Sequence, residues 1–199
     1  MGITAIFGGT FNPFHIGHYE ILVSLQNDPE IEEIWLLPDK IPPHKACDFL
    51  AQDDVRIEMC KIAAEDFSKV KLCLIEFERE GKSYTYDTIS ILKEKFPEKK
   101  FAFVCGGDML VFFPRWYKYD ELIKMLEFIV FKRTDTNIDE FNDTIAGLTE
   151  LGMKLKVKQE VITTISSSVI RENFDTFSEF LPPKIYAFLK ERGEYVKQS

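Results

Sequence analysis

Three histidines, His15, His18 and His44, lie in the first quarter of a 199-residue chain, all in polar turn segments. A histidine that merely fills a core more often interrupts an apolar face. His15 and His18 are three positions apart, which puts both rings on one side of a helix start. Ahead of them runs Gly8-Gly9-Thr10-Phe11-Asn12-Pro13. Glycines here let backbone N–H groups approach phosphate oxygens, and a helix beginning after them offers its positive dipole end. A glycine pair by itself makes only a tight turn. With imidazoles beside it, the segment reads as a set of donors for the charge that builds on phosphate oxygens during group transfer, a chemistry that needs no nucleophilic side chain. Zinc is the rival use of three histidines, but no cysteine neighbours them and no H-E-x-x-H pattern occurs.

The elements that must hold these residues follow from the apolar pattern. Ile3 to Phe7 is an apolar run ending in Gly8-Gly9, and Tyr19 to Gln26 has helical spacing, giving strand, glycine turn, helix. The alternation recurs, with strands expected at Ile34 to Leu37, Val70 to Ile75 and Phe101 to Cys105 and helices at Val55 to Glu65 and Tyr86 to Lys95. Two more strands are expected near Phe128 to Phe131 and Lys154 to Val157, then a short helix at Ser167 to Asn173 and a last one from Pro182-Pro183. Strands alternating with helices predict an α/β fold with a doubly wound, mostly parallel sheet, in which ligands bind beyond the carboxyl ends of the strands. Pro38 to Leu50 and Phe112 to Asp120 break the pattern, as loops over a ligand do.

Composition narrows the function classes. A hydrophobic content of 45% suffices for a core, and the length fits one domain over residues 1–199, with a helical part from about residue 166. Thirty-three acidic against 25 basic residues give a net charge of -8, which argues against gripping a nucleic acid polymer. No stretch approaches the ~18 apolar residues of a membrane span, and the start lacks a basic flank, so a cytoplasmic protein is expected. Cys47, Cys60, Cys73 and Cys105 are scattered without C-x-x-C spacing, which fits a reduced compartment rather than a metal site.

His15-Ile16-Gly17-His18 matches the H-x-G-H signature of the nucleotidyltransferase superfamily, and with Gly8 to Pro13 before it the chain resembles the bacterial nicotinate mononucleotide adenylyltransferases. The resemblance continues in order along the chain. Pro38 to Lys45 resembles the family's P-x-x-x-P-x-H-K loop, Ser83-Tyr84-Thr85 its S-Y-T segment, Gly106-Gly107-Asp108 its G-x-D, and Trp116 with Tyr117, after Pro114, its L-P-x-W segment, with Phe113 where Leu is common. Ile165-Ser166-Ser167-Ser168-Val169-Ile170-Arg171 resembles I-S-S-T-x-I-R, with Ser168 in place of Thr. Asn12 stands where many members have Asp, a change expected to be tolerated because both can cap the turn.

The resemblance implies a Rossmann-like fold and adenylyl transfer from ATP to nicotinate mononucleotide, with Mg2+ held mainly by the ATP phosphates and no protein metal site. It implies catalytic roles for His15, His18, Lys45 and Arg171. ATP would be bound by Gly8, Gly9, Thr10, Phe11, His15, His18, Gly106, Asp108, Ile165, Ser166, Ser167 and Arg171. The acceptor would be bound by Thr85, Asp108, Trp116, Tyr117 and Arg133. Taken without it, an exposed Lys45, a Ser cap and an Arg171 are ordinary surface features. Other phosphorylated acceptors, nicotinamide mononucleotide or phosphopantetheine, and a nucleotide sensor without turnover remain open, as does a homo-oligomer.

Overall fold

The computed structural model describes residues 2–42 and 49–195. Its centre is a six-stranded sheet made of β1 (Ile3–Gly9), β2 (Ile31–Pro38), β3 (Val70–Leu72), β4 (Lys100–Gly106), β5 (Glu127–Arg133) and β6 (Lys154–Ile162). The strands run parallel in the order β3-β2-β1-β4-β5-β6. The chain therefore leaves β1 in one direction across the sheet and returns to the far side of β1 at β4. Adjacent carboxyl ends whose connections diverge open a crevice there, the switch point at which sheets of this kind bind ligands.

Alternation along each strand explains why both faces are covered. On β1, Ala5 and Phe7 pack with Leu22 and Leu25 of α1 (Ile16–Asn27), Val55 and Met59 of α2 (Asp53–Ala64), and Ile185 and Leu189 of the last helix. Ile6, of opposite parity, packs on the other face with Ile89 and Leu92 of α3 (Thr85–Lys95). β4 divides the same way, with Ala102 and Val104 on the first face and Phe101, Phe103 and Cys105 on the second. Successive side chains of a strand point to opposite faces, so strands apolar at nearly every position must be buried on both.

The expected strands and helices are all present, with different bounds. β3 stops at Leu72 rather than Ile75, because residues Ile75–Glu78 turn into a 3-10 helix. The turn is pinned by buried Glu76, which accepts a short hydrogen bond from Thr88 of α3 and pairs with Arg79. Three helices not expected from the sequence lie between β4 and β6: α4 (Gly107–Leu110), α5 (Tyr119–Met125) and α6 (Ile138–Glu150). α6 had a legible signal. Asn137 caps it by accepting from the Asp139 and Glu140 N–H groups, and Phe141, Ile145 and Leu148 follow at helical spacing. After β6 come α7 (Ser167–Glu172) and α8 (Pro183–Arg192). No helix among the described residues is long and apolar enough to cross a membrane.

Candidate active site

The turn after β1 is built on an aromatic cluster. Phe11 takes a left-handed backbone (φ 48°) with its ring buried, edge-on to Phe7 at 5.6 Å and 5.5 Å from Phe14. A Cβ on Gly9 would lie 3.0 Å from that ring, so glycine is what lets the chain double back over it. Phe11 can thus face a nucleotide with its backbone but not its side chain. α1 starts earlier than its apolar pattern suggests. His15 is the residue before the helix and His18 falls in its first turn.

The two histidines form a unit. Their rings stack at 3.7 Å between centroids with 22° between planes. The backbone N–H of His15 donates to Nδ1 of His18 at 3.2 Å, so the His18 ring carries its proton on Nε2 and presents that atom as a donor. Phe11 and Phe14 hold the His18 ring from 5.0 and 5.2 Å. His15 is buried, while His18 is partly open to solvent. Gly17 between them has a steric reason: a Cβ would meet the Thr163 carbonyl at 3.1 Å and the His15 ring at 3.3 Å. Helix, histidine pair and the end of β6 are therefore packed as closely as a glycine allows.

Asn12 does not cap this turn as its sequence position suggested. Its side chain reaches away, donating from Nδ2 to the Phe49 carbonyl at 2.9 Å and accepting at Oδ1 from the Ala51 N–H at 3.2 Å. A carboxylate could accept but could not donate to Phe49. Arg56, which the helical pattern of α2 disguises as one more polar position, is fully buried beneath the same loop. Its guanidinium donates to the carbonyls of Ala51, Thr10, Asp39 and Lys40 and pairs with Asp39 and Asp53. Thr10 completes the tie, donating its hydroxyl to Asp39 at 2.8 Å.

α7 brings the third predicted group to this turn. Ser166 caps the helix by accepting from the Val169 N–H. Ser167 donates to the Pro13 carbonyl at 2.9 Å, and Arg171 donates to the Asn12 carbonyl at 2.6 Å. Ile165 is buried just before them. Glu20, on α1, accepts from both the backbone and the hydroxyl of Thr163 at 2.7 Å, fixing the approach to α7 against the helix that carries His18. Neither Arg56 nor Glu20 stands out by spacing, because a charged residue in an amphipathic helix reads as solvated until its neighbours are known.

The neighbouring carboxyl end of β4 carries Gly106, Gly107 and Asp108. A Cβ on Gly107 would fall 2.7 Å from the Phe141 ring of α6. Asp108 pairs with Arg133 at 3.4 Å, joining two residues the resemblance assigns to substrate. Thr85 is the first residue of α3, and helix geometry leaves its N–H without an intrahelical partner. The segment before it is anchored by Ser83, whose hydroxyl accepts from the N–H groups of Lys40 and Ile41 at 3.1 and 3.2 Å. Trp116 is half-buried against Phe113 and Phe103, at 5.1 and 5.9 Å. Exposed Tyr117 lies 4.7 Å from Tyr84. Lys45, with His44 and Cys47, lies outside the described residues.

Several polar groups thus converge on the carboxyl ends of β1 and β4, and the comparisons with known proteins agree on the lineage. A family model described as cytidylyltransferase-like matches residues 6–173. The nicotinate-nucleotide adenylyltransferase of Bacillus subtilis (strain 168) is 36% identical over 194 residues, covering 96% of both chains. Among solved structures, Plasmodium falciparum nicotinic acid mononucleotide adenylyltransferase complexed with NaAD superposes with a TM-score of 0.79 at 23% identity, covering 98% of each chain. The same enzyme complexed with APC gives 0.77 at the same identity and coverage. The chain belongs to the cytidylyltransferase-like family and, within it, to the nicotinate-nucleotide adenylyltransferases.

Proposed function

We propose that the protein transfers the adenylyl group of ATP to nicotinate mononucleotide, releasing pyrophosphate and forming nicotinate adenine dinucleotide, as a cytoplasmic step of NAD biosynthesis. The observation that carries the reading is the docking of α7 on the β1–α1 turn, which brings Arg171 to the segment bearing the stacked histidines. A phosphate oxygen of the acceptor attacks the α-phosphorus in line, and the bond from that phosphorus to the bridging oxygen breaks. An ionised phosphate is already a nucleophile at neutral pH, so no general base is needed. The work left to the protein is positioning and charge stabilisation. His18 donates from Nε2, the N-terminus of α1 adds its dipole, and Arg171 and Lys45 offset charge on the departing oxygens. Gly8, Gly9 and Thr10 offer backbone to the nucleotide, with Gly106, Asp108 and the Ile165-Ser166-Ser167 segment on its other side.

Among the described residues no group of three or more His, Cys, Asp or Glu side chains is placed to hold a metal ion. Mg2+ would enter on the phosphates of ATP and would screen their charge. For the acceptor, the backbone N–H groups near Thr85 and Tyr117 suit a carboxylate, which accepts from both; a carboxamide would oppose one of them with its own donors. Trp116, already beside that end of the sheet, supplies an aromatic face for the pyridine ring, and Arg133 with Asp108 borders the same end.

Pyrophosphate release by the purified protein with ATP and Mg2+ tests this, with nicotinate mononucleotide, nicotinamide mononucleotide and phosphopantetheine offered separately. Strong preference for the first is expected. Preference for another acceptor would keep the adenylyl chemistry and refute the carboxylate pocket. ATP binding without turnover on any of them would point to a sensor.

A further inference from the structure

Past the end of α8 the chain turns back through Gly193 in the left-handed region (φ 68°) and then Tyr195, also left-handed at φ 59°. A tyrosine adopts that backbone only where surrounding contacts hold it. Here they do so from two sides. The ring packs edge-on to Phe49 at 5.6 Å and lies 5.9 Å from Phe174, three residues beyond Arg171. The hydroxyl donates to Oδ1 of Asn12 at 2.6 Å. Asn12 Oδ1 also accepts from Ala51 and its amide donates to Phe49, so the Tyr195 bond completes the capacity of that oxygen. The Asn12 carbonyl, in turn, is the acceptor for Arg171 at 2.6 Å.

We propose that Tyr195 is a positioning residue for the transfer reaction, acting through Asn12 to fix the peptide oxygen on which the Arg171 guanidinium is aligned. Resting on the reading that Arg171 stabilises charge in that reaction, the inference adds the link from the segment after α8 to the phosphate end of the sheet. The logic is geometric. A guanidinium has several N–H donors in a rigid plane, so spending one on a fixed carbonyl orients the rest toward a ligand. Were the Asn12 peptide free to tilt, that plane would tilt with it. Burial keeps the Tyr195 hydroxyl protonated, hence a donor, against the opposing pull of Arg171 and Arg56 nearby.

The test is a double-mutant cycle on the full chain, with adenylyl transfer to nicotinate mononucleotide measured at varied ATP. Tyr195→Phe keeps the ring against Phe49 and Phe174 and removes only the hydroxyl, so an almost unchanged thermal midpoint is expected. Its kcat/KM should fall about fivefold, chiefly in kcat, as expected for one hydrogen bond felt in the transition state. In an Arg171→Ala background the same substitution should have almost no effect, because the group it positions is gone. An undiminished fall in that background, or no fall in the single variant while Arg171→Ala is defective, would overturn the link alone. Full activity in Arg171→Ala would overturn the role of Arg171 and the link with it.

Discussion

The two ends of the sheet use charge in opposite ways. Near the amino ends of the strands, cations and carboxylates neutralise one another: Glu33 is bonded by both Lys71 and Lys99, Asp28 by Lys156 and Lys158, and Lys100 pairs with Glu127. At the carboxyl ends, Arg171 is anchored on a peptide oxygen, and buried Arg56 donates to four carbonyls besides pairing with Asp39 and Asp53. A carboxylate partner cancels a cation's charge. A carbonyl fixes its position and leaves the charge in place. The turn after β1 is thus wired largely through backbone oxygens, with Asp39 and Asp53 added at Arg56, and the amino ends are wired through ion pairs. Arg133 with Asp108 stands between these cases, an ion pair at the carboxyl ends.

Arg56→Ala should be the most damaging test of that contrast. It strips the donors from four carbonyls beneath the β1–α1 turn and leaves Asp39 without its buried cation, so denaturant unfolding should show a loss of about 3 kcal/mol. A loss under ~1 kcal/mol would mean that the loop supports itself. His18→Ala tests function more than stability. Turnover is expected to drop about a hundredfold with ATP affinity little changed, since its donor should strengthen only as charge develops, while the unfolding midpoint falls modestly with the loss of the ring contacts and of the acceptor for the His15 N–H. Unchanged turnover would remove His18 from the mechanism.

The smallest effect belongs to the opposite end and to acid. Bonds from Lys71 and Lys99 hold the Glu33 carboxyl at about 2. Asp28 also sits at about 2: burial pushes it up, but bonds from Lys158, the Glu30 N–H and Lys156 prevail. Both folded values lie below the ordinary 3.8 of Asp and 4.5 of Glu. Their stabilisation is therefore complete above those ordinary values and is lost as the pH falls from there toward about 2. The unfolding midpoint should decline over that interval, and Asp28→Asn should flatten part of the decline. An equally steep decline in Asp28→Asn would mean that other carboxylates govern acid unfolding.

Part of the connection from β1 to α1 could be seen before folding was considered. The histidine spacing and the helix start are local features, whereas Gly8 and Gly9, expected in the turn, end β1 beside Leu37 and Pro38, and the turn follows them. Helices between β4 and β6 were harder. α4 and α5 are too short to show a period, and α6 buries only one narrow stripe, although its Asn137 cap and the 141, 145, 148 spacing were there to be found. Arg56 and Glu20 were invisible for a different reason. Each sits in a helix where an exposed charge is ordinary, and only the neighbouring strand ends and loops turn it into a clamp.

What the linear order of residues determined by itself was the alternation of strand and helix, hence the parallel sheet. It also determined which segments carry donors, because apolar period and turn chemistry act over a few residues. Tertiary structure alone decided the order of strands, the docking of α7 on the first turn, and the use of Asn12 as a junction from Phe49 to Tyr195. Those contacts join positions up to 183 residues apart. No local propensity encodes such a pairing, since it exists only once both faces of the sheet are packed and the segment after α8 meets the turn after β1.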